Sequence, residues 1–228
     1  MKKVFINYAH NRYLESQNKC SKSATPYFDE VHSFRYDDID DNFKECYRNI
    51  LEGDRGAGYW LWKPYFLKKM IRELDPGDIL FYADSGSNFR NDPQPLFNTL
   101  EQQNILLFIM DHFQNKMWTK RDCFHLMGCD NDKYVNGPHW NAAFLGFKVS
   151  DEAISFIDEY LYHCCDANIL TDKENICGKP NYPEFKDHRH DQSVLSLMAL
   201  KHNIEPNIDP SQFGDLPYQV MYHHRSKK

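Results

Sequence analysis

The sequence predicts a single α/β domain built on a mostly parallel central sheet flanked by helices, and three observations carry that prediction. Two short apolar runs, Ile79–Ala83 and Ile105–Met110, do not alternate with polar residues, the pattern of strands covered on both faces. Around them lie stretches with helical spacing, Phe66, Leu67, Met70, Ile71 and Leu74 before the first run, Ile154, Ile157, Leu161 and Cys164 after the second. The 228 residues suit one domain with a substantial core.

In chain order, Val4–Ala9 is the first strand, and Asn7, His10, Asn11 and Arg12 cluster at or after its end. Such a loop either holds a nucleotide base or is polar surface. Tyr13–Ala24 reads as a helix stopped before Pro26, Val31–Tyr36 as a second strand, and Phe43–Leu51 as a helix closed by Gly53. The run Arg55–Lys63 then concentrates two glycines, three aromatics and flanking cations. Tyr59 and Trp60 are candidates to stack on a ligand, with core packing as the rival reading. Lys63 is a candidate cation for an anionic ligand. Pro64 fits the first helical position, so this run leads into a helix N-terminus, a place that favours anions.

Pro76-Gly77 makes a turn, Ile79–Ala83 a buried strand, and Asp84-Ser85-Gly86 follow at its C-terminal end. Ligands of open α/β sheets bind outside the carboxyl ends of strands. Asp84 there can hold a ribose hydroxyl or a divalent metal, or simply start a turn, while Ser85 and Gly86 let a ligand approach the backbone. Gln94–Gln103 is a helix, and Ile105–Met110 the next buried strand. Thr119 is placed to cap a helix to Met127 whose first turn carries Lys120, Arg121 and Asp122, further candidates for substrate binding. Asn141, a candidate of the same kind, closes the segment Gly137–Asn141 before the strand Ala142–Val149, and Ser150 caps the helix after it. Cys165–Glu184 is a long polar loop, a lid or acceptor-binding segment. His188-Arg189-His190-Asp191-Gln192 then precede an apolar helix, and the chain from Glu205 reads as irregular. Asp191 is either a general base, a metal ligand beside His190, or a helix cap. No domain linker interrupts the chain.

Composition narrows the class. A net charge of −6 argues against a general nucleic-acid binder. No apolar run approaches a membrane span, and the N-terminus lacks the apolar stretch of a signal peptide. Seven cysteines without a C-x-x-C pair read as reduced thiols of a cytoplasmic protein. No phosphate-binding G-x-x-x-x-G-K-[ST] loop, G-x-S-x-G elbow or H-E-x-x-H pair is present.

Taken in order, GAGYWLWKPY, GDILFYADSG, WTKRD, AAFLGFK and HRHDQSVLSL resemble a family of small GT-A-type glycosyltransferases found in polysaccharide-synthesis loci and some large-virus genomes. The resemblance runs from Phe5 to about Ile204. It implies a GT-A-like domain with a nucleotide-sugar-binding half (1–110) and an acceptor-side half (111–228). It also implies transfer from a nucleotide-sugar, a UDP-sugar first, to a hydroxyl on a glycan, lipid-linked or protein acceptor, in a protein that can work at a membrane periphery. Asp84-Ser85-Gly86 stands where that family carries Asp-x-Asp, so Gly86 removes the usual second metal ligand. By resemblance Asp84, with His190 and Asp191 in support, would hold Mn²⁺ or Mg²⁺. Lys63 would face the diphosphate, Asp191 with His190 would act on the acceptor, and Gln192 would contact substrate. Two rivals are an inactive sugar- or protein-binding module, and a metal-dependent phosphoester hydrolase using Asp84, His188, His190 and Asp191.

Overall fold

The computed structural model describes residues 1–214 and 216–224, apart from the side chain of residue 111. Eight strands are present among them: β1 (Lys3–Tyr8), β2 (Glu30–Phe34), β3 (Ile79–Ala83), β4 (Ser87–Phe89), β5 (Ile105–Gln114), β6 (Pro138–Lys148), β7 (Pro206–Ile208) and β8 (Met221–His223). Six form the central sheet in the order β2-β1-β3-β6-β5-β7, and β4 pairs with β8 in a small antiparallel sheet. β1 is parallel to β2 and β3, and β5 is parallel to β7. β6 runs against both of its neighbours. The sheet is therefore mostly parallel, with one reversed strand at its centre.

Alternate residues of each strand feed opposite cores, as the pleat requires. Val4, Ile6, Leu80, Tyr82, Leu107 and Phe147 meet the helices Trp62–Ile71, Asp151–Cys164 and Asp191–Lys201 on one face. Phe5, Phe81, Leu106, Phe108 and Phe144 meet the helices Leu14–Ala24 and Gln94–Gln102 on the other. Both faces are covered, which explains why β3 is apolar at every position.

β6 is the strand whose position matters for the site. Because it is reversed, its first residues run past the end of β3, where Ala83 pairs with Phe144, while its pairing with β5 continues through Phe108–Asn141 to Gln114–Pro138. Asn141, Ala142 and Ala143 thereby reach the edge where β3 delivers Asp84, and the Asp84 N–H donates to the Ala143 carbonyl at 2.9 Å.

Several boundaries differ from the sequence expectation. The helix expected over Phe43–Leu51 is two, Asp41–Cys46 and Arg48–Leu51, parted at Tyr47 (φ −116°, ψ 25°). Thr119 is buried and does not cap; the Arg121–Leu126 helix starts after Lys120 without a side-chain cap. β6 begins at Pro138 rather than Ala142, taking in the segment expected as a lead-in. The stretch from Glu205 contributes β7 and β8, strands too short to show a period. Ser150 does cap the Asp151–Cys164 helix, accepting from the Ala153 N–H at 3.2 Å.

The Arg55–Lys63 run holds the least expected backbone. Gly56, Ala57, Gly58, Tyr59 and Trp60 all have positive φ, at 59°, 51°, 95°, 52° and 60°. They form a left-handed turn immediately before the Trp62–Ile71 helix. Each non-glycine residue held this way costs about 1–2 kcal/mol. Gly58 is required for a second reason, since a Cβ there would lie 2.8 Å from the Leu51 Cα.

Candidate active site

A cleft of about 830 Å³ opens at the C-terminal ends of β1 and β3. Tyr8, Arg12 and Tyr13 line one side, the left-handed turn with Trp60 another, and Tyr82 and Asp84 the floor. Ser85 and Gly86 complete the floor, and the Ser85 Oγ donates to the Tyr8 carbonyl at 2.6 Å, tying the two strand ends together.

Beneath the floor lies a chain of charges. The Tyr82 hydroxyl donates to Asp84 Oδ1, and Lys63 Nζ stands 3.6 Å from the same oxygen. Lys63 Nζ donates to Asp191 Oδ2 at 2.6 Å and to the Ala142 carbonyl at 3.0 Å. The Tyr160 hydroxyl closes the chain, donating to the Asp191 main-chain carbonyl at 3.2 Å and lying 3.3 Å from Oδ2. An ammonium has three donors and no acceptor, and here two of them are hydrogen-bonded while Asp84 adds an ion-pair contact at 3.6 Å. Lys63 and Asp191 are buried, with 2% and 3% exposure, whereas the Asp84 side chain keeps 37%. Burial works against the Lys63 charge, but Asp191 and Asp84 outweigh it and raise its pKa. At Asp191 burial is the larger effect and pushes the carboxyl up despite Lys63.

Arg12, Trp60, Asp84, Ser85 and Gly86 thus meet at one cleft, with Lys63 directly below Asp84. Other candidates are engaged elsewhere. Asn7 is buried between β1 and the Leu14–Ala24 helix, donating to Ser21 Oγ and accepting from Gln17. Tyr59 lies against Gly53 and the His190 ring rather than in the cleft lining. Asn141 donates to Asp209 Oδ2 at 2.7 Å, and the Gln192 amide meets the Met110 sulfur at 3.3 Å.

Lys120, Arg121 and Asp122, expected as substrate contacts, are engaged with the long loop. Asp122, fully buried, accepts from the Ile176 N–H at 2.8 Å and the Cys177 N–H at 2.9 Å. Burial would raise its pKa, but these backbone donors outweigh it and lower it. Lys120 Nζ donates to the Lys173 and Thr171 carbonyls, and the Arg121 N–H donates to Asn181 Oδ1. The loop expected as a lid or acceptor-binding segment is pinned by these contacts, and it includes the short helix Ala167–Leu170.

His190 is 1% exposed, its Nδ1 bonded to the Leu170 carbonyl at 2.8 Å. His188 joins the Lys120 N–H and the Ile169 carbonyl. Asp84, His188, His190 and Asp191 do not converge, which removes the site of the hydrolase reading. Among the described residues no three His, Cys, Asp or Glu side chains gather as a metal's shell. The expected trio Asp84, His190 and Asp191 fails because Lys63 holds Asp191 and a main-chain carbonyl holds His190. The contacts to Asp84 fall on Oδ1, so one carboxylate can still offer an oxygen to a cation. That suits Mg²⁺, which keeps several waters and binds through one or two carboxylates together with substrate phosphates.

Two residues of the chain of charges were not among the sequence candidates. Tyr82 had a faint signal, standing two positions before Asp84 on the same strand. Tyr160 had none, since helical spacing does not say which distant carboxylate its hydroxyl meets.

No known family profile matches this chain, and no curated protein matches it. Solved structures do. Mouse xyloside xylosyltransferase 1, in its apo form, is similar with a TM-score of 0.53 at 9% identity, covering 98% of this chain and 97% of that one. The bifunctional glycosyltransferase WbbM, also apo, gives 0.56 at 11%, covering 99% of this chain and 46% of its own. The apo glycosyltransferase GlyE of Streptococcus pneumoniae TIGR4 gives 0.49 at 16%, covering 99% and 55%. At these identities the first two show a shared fold, the GT-A-like arrangement that the sequence resemblance implied.

Proposed function

We propose that the protein is a nucleotide-sugar-dependent glycosyltransferase whose donor, a UDP-sugar first, binds in the cleft above Asp84. The observation that carries this reading is the buried Lys63, placed between Asp84 at the cleft floor and Asp191 at the start of the Asp191–Lys201 helix. Glycosyl transfer breaks the bond from the anomeric carbon to the diphosphate, and the bonding electrons leave with the diphosphate. The site must therefore bind and orient a dianion beside an aromatic-bound nucleoside. The rings of Tyr8, Tyr13 and Trp60 suit the base or sugar faces, Arg12 the diphosphate, and Asp84 a ribose hydroxyl or a cation. Lys63 fixes Asp84 from below.

A divalent ion bound with the diphosphate would neutralise developing charge on the leaving group. Asp84 is the residue proposed to hold it. Asp191 is assigned to Lys63 rather than to an acceptor hydroxyl. The acceptor is a hydroxyl-bearing glycan, lipid-linked sugar or protein. Among the described residues no helix is long and apolar enough to cross a membrane.

Thermal unfolding with UDP, GDP and CMP, each with and without Mn²⁺, tests the reading. A nucleotide at a hundred times its Kd adds about 2.7 kcal/mol. One nucleotide should raise the midpoint, and Asp84→Ala should abolish the rise. No shift with any of them refutes the donor cleft. A shift without product from any sugar–acceptor pair favours a binding module.

A further inference from the structure

We infer that the left-handed turn Gly56–Trp60 is a strained wall of the donor cleft, and that His190 is the positioning residue that holds it in shape. The inference rests on the cleft being the donor site proposed above. Five successive left-handed residues, three of them bearing side chains, do not persist without support from their surroundings.

That support is visible on every side. The Trp60 ring folds over Gly56, where a Cβ would come within 2.2 Å of it, and the Tyr59 ring folds over Gly53, where a Cβ would come within 2.4 Å. The His190 ring packs against both aromatics. It is stacked on Trp60 at 5.4 Å and 21°, and inclined to Tyr59 at 5.1 Å. The Trp62 Nε1–H donates to the Gly56 carbonyl at 3.0 Å. Arg55, immediately before the turn, pairs with Asp172 in the pinned loop and with Asp187 just beyond it.

His190 is itself held in an unfavourable backbone conformation, φ 52° and ψ −119°. With Nδ1 on the Leu170 carbonyl, its Nε2 has no hydrogen-bond partner and lies 3.9 Å from Asp172 Oδ1. An imidazole placed to serve as a proton carrier would face the cleft. This one faces the rings of the turn, which present Gly56, Ala57 and Trp60 to the cleft. The ring's shape is what the turn uses, and its nitrogens are secondary. Strained backbone at Gly56–Trp60 is thereby coupled to strained backbone at His190, one residue before the carboxylate that grips Lys63.

The test compares His190→Ala with His190→Phe by hydrogen exchange over residues 53–62 and by UDP binding in the presence of Mn²⁺. Removing the ring should speed exchange at 56–62 and weaken UDP binding, each on the order of fivefold, as for loss of an aromatic contact. Restoring a ring with Phe should return both close to wild type. Unchanged exchange in His190→Ala overturns the inference, and so does a Phe variant as impaired as Ala, which would assign the role to the imidazole nitrogens. Should His190→Ala not fold, Trp60→Ala removes the same stack from the cleft side, and its exchange over 56–59 decides the matter. If wild-type protein binds no nucleotide, the donor reading fails while the exchange comparison still judges the clasp.

Discussion

Replacing Lys63 by Met removes the cation and leaves the Asp191 carboxylate buried, 3% exposed, with only hydroxyl and backbone partners. At 2.6 Å the gross attraction between the two charges is about 6 kcal/mol at an effective dielectric constant of 20, offset by the desolvation of both. What a single truncation reads is the unpaired charge, about 3–5 kcal/mol. That is a large share of a domain stability of about 5–15 kcal/mol. Urea unfolding measures it directly, as a fall in midpoint at an unchanged slope. The control is the double variant Lys63→Met/Asp191→Leu, in which both charges leave together. It should recover most of the loss, with a residue of about 1–2 kcal/mol because the Ala142 carbonyl loses its donor. A single variant costing less than about 1 kcal/mol, or a double variant as unstable as the sum of the singles, would refute the assignment of Asp191 to Lys63.

Acid stability should fall in two stages. Burial holds His139 down at about 3 against an ordinary 6.5, so below pH 6.5 the unfolded chain takes up a proton that the fold refuses, and stability declines toward pH 3. Glu159 and Asp130, held at about 2 by their cationic and hydroxyl partners against burial, add a second loss as pH falls from about 4.5 through 2. In a pH series of urea midpoints His139→Gln should lessen the first stage without removing it, because burial also holds His163, His188 and His190 below their ordinary value, and a wild-type profile level between pH 6.5 and 5 contradicts this. Asp122→Asn offers an amide in place of a carboxylate to the Ile176 and Cys177 N–H groups, with an expected cost of about 1–3 kcal/mol. Limited proteolysis should then cut within 172–181, and an uncut loop would mean Lys120 and Asn181 suffice. Gly58→Ala, with φ 95° and a backbone contact at 2.8 Å, should destabilise by about 2–4 kcal/mol in the same unfolding assay, and a loss under about 1 kcal/mol would mean the turn can relax.

How much of this was legible beforehand depended on whether a feature was local. β3 and the Trp62–Ile71 helix declare themselves because burial of both strand faces, or of one helix face, writes a period into neighbouring residues. The reversal of β6 does not, since an apolar run such as AAFLGF carries no mark of strand direction; the antiparallel pairing with β3 and β5 fixes it. β7 and β8 are three residues each, too short to carry a period. The left-handed turn was half visible. Gly56 and Gly58 announced positive φ, but nothing in Ala57, Tyr59 or Trp60 did, because their strain is carried by His190, far along the chain.

The same distinction explains the site. Asp84 was readable from its place after a buried strand, and Lys63 from its place at the start of a helix. The role of Asp191 was not readable, because a carboxylate next to His and Gln looks the same whether it faces a cleft or a lysine. The deciding fact is geometric. β6 runs backwards and brings the Ala142 carbonyl to Lys63, the Trp62–Ile71 helix brings the ammonium, and the Asp191–Lys201 helix brings the counter-charge. Asp84 then remains open at the cleft floor, with a cation fixed 3.6 Å beneath it. Substitution of Gly86, which stands where the family resemblance puts a second carboxylate, by Asp would add a negative charge beside Asp84, above the buried pair of Lys63 and Asp191. If the ion arrives with the diphosphate, Gly86→Asp should permit Mn²⁺ binding in the absence of nucleotide, whereas the wild type should bind Mn²⁺ measurably only with it. Calorimetry with Mn²⁺ alone separates the two, and tight binding of the free ion by the wild type would mean a preformed metal site after all.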